Sequence, residues 1–172
     1  MATLSSIYDV AFSFLAWGIF MTIRMVHIDD NLRDSLDESL DRYDATGKKR
    51  PYYLGISISN NKAILLPVRS NCPPGKYTLK LASRHPGKRN HGIDFSKMII
   101  IDKNDLSTKT TSVNGDSMLI ADIQNKKSTI LQMTRDTISD YKEMVKKSKM
   151  GKDLSKTELF LKQRSTLRNY IK

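Results

Sequence analysis

The sequence predicts an α+β protein: a small, strongly bent antiparallel sheet or partly closed barrel, with an N-terminal helix insertion and C-terminal helices. Short apolar segments with a period of two recur between residues 22 and 102, separated by Gly and Pro corners. After residue 134 the period changes to 3.6, which is typical of helices. The chain has 172 residues, enough for one domain with a hydrophobic core and short for two.

The first elements are a strand over residues 22–28 and a helix over residues 29–44. Asp29 and Asp30 stand where a helix N-terminus favours negative charge. Gly and Pro in the segment 45–51 end the helix. Its period places four large side chains on one stripe: Leu32, Leu36, Leu40 and Tyr43.

Several further strands are predicted. Residues 52–59 and 63–70 form a hairpin across the turn 60–62, and Pro67 indicates an edge strand or a bulge. The remaining strands cover residues 76–83, 93–102 and 117–123. A basic loop over residues 84–92 connects the first two of these.

Helices are predicted over residues 134–150 and 155–172. The second begins with Ser155 and Glu158 at the spacing of a capping box.

Residues 1–20 are apolar, but they are short for a membrane span and Asp9 interrupts them. Three interpretations are open: an added helix, an anchor to a membrane or partner, or a start codon placed too far upstream. We favour the last, because the segment from Met21 reads as the beginning of a domain. The predicted organisation is therefore an N-terminal extension over residues 1–20 and a single domain over residues 21–172.

The charge distribution indicates a polyanionic partner. The formal net charge is +11; residues 1–46 carry three basic and eight acidic side chains, whereas residues 47–172 carry 26 and ten. Such a field favours nucleic acid, although a basic surface without a specific partner and a membrane surface are the alternatives. The basic stretch 142–172 is either an electrostatic track for RNA or a solvated helix face.

Cys72 is the one cysteine, so no intrachain disulfide and no cysteine-based zinc site can form. A reducing cytoplasm fits this composition. The basic half has no cluster of acidic residues for a two-metal nuclease, and Gly-rich phosphate loops are absent. We therefore expect no metal and no cofactor.

RNA can be cleaved without a metal, because its own 2′-OH can attack the adjacent phosphate. An enzyme then supplies cationic donors, proton transfer and in-line positioning. Arg69 offers a planar fork for phosphate oxygens, and Ser70 adds a short hydroxyl donor. Pro73 and Pro74 stiffen the loop that follows. We predict that Arg69 and Ser70 are catalytic; the alternative is a solvated strand end.

The predicted RNA-binding residues lie around this motif. The loop "RHPGKRNHG" is either a phosphate-binding loop, whose two histidines could also transfer protons, or a solvated hairpin loop. Tyr52 is a candidate for stacking on a base, and Lys97 faces either a groove or solvent. The candidates in the loop are Arg84, His85, Lys88, Arg89 and His91.

Three motifs, in this order, carry a resemblance to a known family: "RPYYLGISI", "AILLPVRS" and "GIDFSKMIII". Over roughly residues 21–145 the chain resembles the toxins of type III toxin–antitoxin systems, the ToxN, AbiQ and TenpN group. The matching pieces are "PVRS" at residues 67–70 and "GIDFSK" at residues 92–97.

The resemblance implies a fold like the MazF/PemK barrel with added helices. It also implies a bacterial, cytoplasmic, metal-independent endoribonuclease with a role in phage defence, which leaves a 2′,3′-cyclic phosphate on its target RNA. Its partner would be a small repeated antitoxin RNA, often held with the protein in a closed ring.

Carried over by position, Ser70 would contact the scissile phosphate, and Arg69 would stand in the place of a threonine. ToxN-like toxins have a lysine two residues after the serine, where this chain has Cys72. Lys76, Arg50 or a residue of the segment 84–91 would supply that cation.

Two other classes of function remain open from the sequence. One is a non-catalytic RNA-binding module, and the other is a protein-interaction domain with the apolar segment as its anchor. The endoribonuclease hypothesis predicts that Arg69 and Ser70 lie together in a concave basic groove.

Overall fold

A computed structural model describes residues 23–36, 53–58, 61–72, 74–82, 91–113 and 117–171. Predictions for other positions, including the N-terminal segment 1–20, lie outside the described residues. Within these ranges the strands are β1 (Ile23–Ile28), β2 (Tyr53–Ser57), β3 (Lys62–Arg69), β4 (Thr78–Lys80), β5 (Gly92–Asp94), β6 (Ile99–Asp102) and β7 (Thr110–Ser112). The helices are α1 (Asp30–Ser35), α2 (Lys103–Thr108), α3 (Ser117–Asn125), α4 (Lys127–Lys149) and α5 (Lys156–Arg164), with 3₁₀ helices at Phe95–Lys97 and Thr166–Asn169.

The seven strands form one antiparallel sheet in the order β4-β5-β3-β2-β1-β7, and β6 also pairs with β3. The predicted antiparallel sheet and C-terminal helices are thereby confirmed. Among the described strands no pairing joins β4 to β7, so the sheet is open. The partly closed barrel is therefore the part of the prediction that the structure does not show.

Strand β3 is the centre of the sheet. Its residues 62–65 pair with β6, whereas Val68 and Arg69 pair with β5. Leu66 and Pro67 have no register partner on that side, so the missing N–H of Pro67 interrupts no ladder hydrogen bond there. Pro67 thus marks an internal gap in the sheet and not an edge strand.

Both faces of the sheet are covered, which explains why β3 is buried along most of its length. Ile64, Leu66 and Val68 pack in a cluster with the C-terminal helices. Ala63 and Leu65 point the other way and pack with residues of α1 and α2. This alternation follows the period of two of a strand between two layers.

Helix α1 is shorter than predicted. Asp29 is its N-cap and accepts a hydrogen bond from the backbone N–H of Leu32 at 2.7 Å. Leu36 has an extended backbone and ends the helix. A continuous helix over residues 29–44 is therefore wrong, and Leu40 and Tyr43 lie outside the described residues.

The predicted strand over residues 93–102 is interrupted. Asp94 accepts from the backbone N–H of Ser96 at 3.1 Å and caps the 3₁₀ helix Phe95–Lys97, which separates β5 from β6. A side chain that bonds its own backbone competes with the sheet ladder in this way.

Residues 117–123 form part of helix α3, so the predicted strand is wrong there. Leu119 and Ile123 are buried at a spacing of four residues, which is helical periodicity. A short apolar run is ambiguous between the two structures, and the packing of Leu119 and Ile123 in the helix-covered cluster favours the helix.

The two C-terminal helices are present. Helix α4 begins at Lys127, seven residues earlier than predicted. Helix α5 carries the predicted capping box between Ser155 and Glu158. Of the helices described, none has both the length and the apolar character that a membrane span requires.

Candidate nucleic-acid interface

An open groove of about 760 Å³ lies between the C-terminal end of β3, the 3₁₀ helix Phe95–Lys97 and helix α5. Four cationic side chains and a single carboxylate line it, together with two apolar and two polar residues. The groove is therefore a basic concavity. Its lining residues are Arg69, Asp94, Ser96, Lys97, Lys156, Leu159, Phe160, Gln163 and Arg164.

Arg69 is held in the groove by Asp94. The Arg69 Nη1 donates to Asp94 Oδ2 at 2.8 Å, and the Asp94 side chain is only 11% exposed. The other carboxylate oxygen, Oδ1, accepts from the backbone N–H of Ser96 at 3.1 Å and from its hydroxyl at 2.6 Å. Both Asp94 oxygens thus have hydrogen-bond partners, and this carboxylate orients Arg69.

Gly92 brings the strands together beside this ion pair. It lies opposite Arg69 on β3 and opposite Lys80 on β4. A Cβ atom at Gly92 would lie 2.6 Å from the carbonyl oxygen of Leu79 and 3.2 Å from Cβ of Cys72. Only glycine fits this close approach of backbone to backbone.

Lys97 joins the 3₁₀ helix to the end of α5. Its Nζ donates to the carbonyl oxygen of Arg164 at 2.5 Å. That carbonyl belongs to the last turn of α5, where helix carbonyls lack intrahelical donors and a cation is favourable. Just beyond, the buried hydroxyl of Thr166 donates to the carbonyl oxygens of Met98, at 2.5 Å, and Ser96, at 3.4 Å. These bonds fix the two walls of the groove relative to each other.

Helix α5 presents one face to the groove. Its groove-lining residues follow the helical spacing of three and four: Lys156, Leu159, Phe160, Gln163 and Arg164. Leu161, on the other side of α5, is fully buried. Leu159 and Phe160 are 42% and 49% exposed, so this apolar pair is left open to solvent between cations.

Ser70 is exposed directly after β3, but it is not among the residues that line the groove. Lys76 lies elsewhere and pairs with Asp140 of α4, Nζ to Oδ2 at 2.6 Å. The same carboxylate accepts from the hydroxyl of Tyr77 at 3.1 Å. The hydrogen bond that Lys76 donates to the Asp140 carboxylate raises the pKa of Lys76. This cluster anchors the loop after Ser70 to α4.

Cys72 is buried beside the groove and faces a smaller cavity of about 310 Å³. Burial, and secondarily the Asp94 carboxylate, raises the pKa of its thiol to about 11. Its Sγ lies 3.5 Å from the carbonyl oxygen of Ile93. The thiol therefore belongs to the packing around β5 and is not an activated nucleophile.

The structure brings two of the predicted site residues, Arg69 and Lys97, into one groove. His91 is half-buried, and its backbone carbonyl accepts from Leu81 N–H at 2.8 Å. Among the residues described, no group of three His, Cys, Asp or Glu side chains is placed to hold a metal ion. The other predicted residues lie outside the described residues: Arg50, Tyr52, Arg84, His85, Lys88 and Arg89.

Sequence reasoning missed Asp94 as a partner of Arg69. It offered the basic stretch 142–172 as a possible track for RNA, but it missed that α5 forms a wall of the same groove as Arg69, with Phe160 and Arg164 in it. A signal for the wall was available. The segment "KTELFLKQR" places Lys156, Phe160 and Arg164 one helical turn apart on one face.

No family model matches the chain, and no curated protein matches it either. A solved structure of a bacterial type III toxin–antitoxin system, in which a non-coding RNA pseudoknot selectively inhibits the toxin, is similar in fold. The TM-score is 0.58, with 12% sequence identity, over 84% of this chain and 90% of that chain. The chain thus has the fold of a type III toxin, and the resemblance predicted from the three motifs is confirmed at the level of the fold.

Proposed function

We propose that this protein is the toxin of a type III toxin–antitoxin system and acts as a metal-independent endoribonuclease. The observation that carries the proposal is the fixed Arg69 in a basic groove. An Arg that is oriented by a carboxylate and opens onto a concave surface with three further cations suits a phosphodiester in a bent RNA strand. The shared fold of a type III toxin supports the same class of protein.

The proposed reaction needs no external nucleophile. The 2′ oxygen of a ribose attacks the neighbouring phosphorus, and the bond from phosphorus to the 5′ oxygen of the next nucleotide breaks. The 2′ proton passes to solvent and the 5′ oxygen takes one from solvent, so the products are a 2′,3′-cyclic phosphate and a 5′-hydroxyl end. Arg69 would stabilise the charge that builds on the phosphorane oxygens.

Ser70 would act from the strand end beside the groove. Ser70 is exposed, and its hydroxyl would donate to a non-bridging oxygen of an RNA strand that passes over Arg69. Lys97 contributes positive charge on the facing 3₁₀ helix, although its Nζ also bonds to Arg164. We assign Lys97 to strand binding and not to proton transfer.

The proposed partners are a target RNA and a repeated antitoxin RNA. The fold relative is inhibited by an RNA pseudoknot, and a basic groove that binds substrate can also be blocked by a folded RNA. In this proposal one folded unit of the antitoxin RNA covers the groove of each protein molecule. Alternating protein and RNA then form a closed ring in which every groove is occupied.

The test is cleavage by the full chain, purified free of RNA, with a mixed RNA substrate in the presence of EDTA. We expect cyclic-phosphate ends, and a loss of cleavage in Arg69→Ala and Ser70→Ala. The matched control is Lys109→Ala, which removes a cation whose partner Asp105 lies on α2. That control should cleave like the unchanged chain.

A different result would favour the non-catalytic RNA-binding module. Salt-sensitive RNA binding without any cleavage, at every metal condition tried, would remove the nuclease role. Cleavage only after addition of a divalent cation would remove metal independence alone. Full activity of Ser70→Ala would show that the serine takes no part in the mechanism, and Arg69 would then be the one remaining proposed catalytic residue.

A further inference from the structure

The groove has an apolar strip that phosphate binding does not explain. Leu159 and Phe160 are both more than two-fifths exposed, and they lie on the α5 face between Lys156 and Arg164. Large apolar side chains that are exposed side by side in a concavity and flanked by charged residues are a feature of ligand-binding grooves. Leu161, on the opposite side of α5, is fully buried and already packs this helix against the core.

The surrounding charge narrows the class of ligand. The cations of the groove outnumber its one carboxylate, and Asp94 is committed to Arg69. A ligand that suits this surface has a flat apolar part and carries negative charge next to it. A nucleotide has this construction, whereas a second copy of this chain would bring its own net charge of +11 to a basic groove.

We propose that Phe160 and Leu159 form a stacking subsite for one unpaired base of an RNA strand, with its flanking phosphates held by Lys156 and Arg164. This subsite rests on the proposed RNA function of the groove and deepens it. A base in a duplex hides both faces, so the occupant is single-stranded or a base extruded from a folded RNA.

Gln163 lines the groove one helical turn from Phe160 and Leu159, on the same face of α5. A side-chain amide presents donors and an acceptor. The free edges of an unpaired adenine or uracil both offer a matching pair. We therefore assign Gln163 to a polar contact with the stacked base, without selection between these two bases.

The first test uses a probe that the protein cannot cleave: a 2′-O-methyl oligoadenylate of about six nucleotides with one 2-aminopurine, a fluorescent adenine analogue whose emission reports stacking. We expect Phe160→Ala to weaken binding about tenfold and to abolish the fluorescence change, because stacking on one aromatic ring has roughly this effect. Phe160→Trp should bind at least as tightly as the unchanged chain.

Salt dependence separates stacking from charge. Phe160→Ala should leave the slope of log K against log salt unchanged, whereas Lys156→Gln and Arg164→Gln should each lower it by about 0.7. Gln163→Leu should weaken the binding of oligoadenylate and of oligouridylate alike. The control is Met150→Ala, which removes another exposed apolar side chain, 58% exposed, at the end of α4.

The failures are distinguishable. If the unchanged chain binds no RNA, both the proposed function and the stacking subsite are wrong. If the unchanged chain binds RNA and Phe160→Ala binds equally well, the subsite alone is wrong. If Phe160→Ala instead changes the oligomeric state of the RNA-free chain in sedimentation, the strip is a protein interface. Undiminished binding of both oligonucleotides by Gln163→Leu would show that Gln163 makes no contact with the base.

Discussion

Arg69 and Asp94 are 25 residues apart in the sequence and form one ion pair of 2.8 Å in the lining of the groove. The pair joins the end of β3 to the end of β5, and therefore joins the two motifs "PVRS" and "GIDFSK". Since Asp94 also accepts two hydrogen bonds from Ser96, the position of Arg69 depends on a short rigid chain of groups and not on one contact.

Asp94→Asn should separate cleavage from binding. The amide keeps the shape and can still accept from Ser96, but it no longer holds Arg69 by charge. We expect cleavage to fall by up to about 100-fold, the range that small misplacements of a catalytic group produce. RNA affinity should stay equal or rise, because a negative charge has left the groove. Parallel losses of binding and cleavage would contradict an orienting role.

Gly92→Ala should destabilise the protein by about 1–3 kcal/mol, because the new methyl group overlaps the Leu79 carbonyl at 2.6 Å. Denaturant unfolding measures this change. Gly75→Ala is the matched control, since its Cβ would meet only the Thr78 hydroxyl at 3.8 Å. Equal stability of the two variants would mean that the backbone around Leu79 shifts to accept the methyl group without loss.

Acid should weaken the N-terminus of α5 through Glu158. The hydrogen bonds from Lys147 Nζ, and then from Ser155, lower the pKa of this carboxyl from 4.5 to about 2. A carboxyl with a lower pKa in the folded chain stabilises it above pH 4.5 and loses that effect as the pH falls toward 2. The stability difference between the unchanged chain and Glu158→Gln should therefore vanish over this window.

The free energy of unfolding of each variant is measured at each pH in this range, with circular dichroism as the signal for folded and unfolded chain. Asp153→Asn, which removes a carboxylate from the loop before α5, is the control. A stability difference for Glu158→Gln that does not change between pH 5 and pH 2 would show that the carboxyl is not coupled to folding.

Cys72 should react slowly with thiol reagents in the folded protein. With the pKa of its thiol raised to about 11, roughly one thiol in a thousand is ionised at pH 8, and the side chain is also buried. We expect alkylation by iodoacetamide to become fast only after denaturation. Rapid modification of the native chain, with loss of RNA cleavage, would instead indicate an accessible thiol next to the groove.

The sequence predicts correctly those secondary-structure elements whose defining pattern lies within a few neighbouring residues. The hairpin of β2 and β3 and the capping box at Ser155 belong to this class. Helix α3 was misread because seven apolar-rich residues fit either structure, and only the packing of Leu119 and Ile123 decides. The break at Asp94 was missed because one side chain redirects the backbone there.

The groove was predictable only in part. The motif around Arg69 predicts it as a site residue, but no pattern near it in the sequence predicts that α5 lies across the groove from it. That wall is placed by contacts such as Lys97 to Arg164, across 67 residues of chain. Tertiary contacts over such distances have no local signature, so Asp94, Phe160 and Arg164 emerge only from the structure.

The bond from Lys97 to the Arg164 carbonyl joins parts of the chain that the ribosome makes at different times, because synthesis runs from the N-terminus. The strands that carry Arg69 and Asp94 are made before the segment that forms α5. In a growing chain the concave surface is therefore complete only after α5 has been synthesised and has packed beside the 3₁₀ helix.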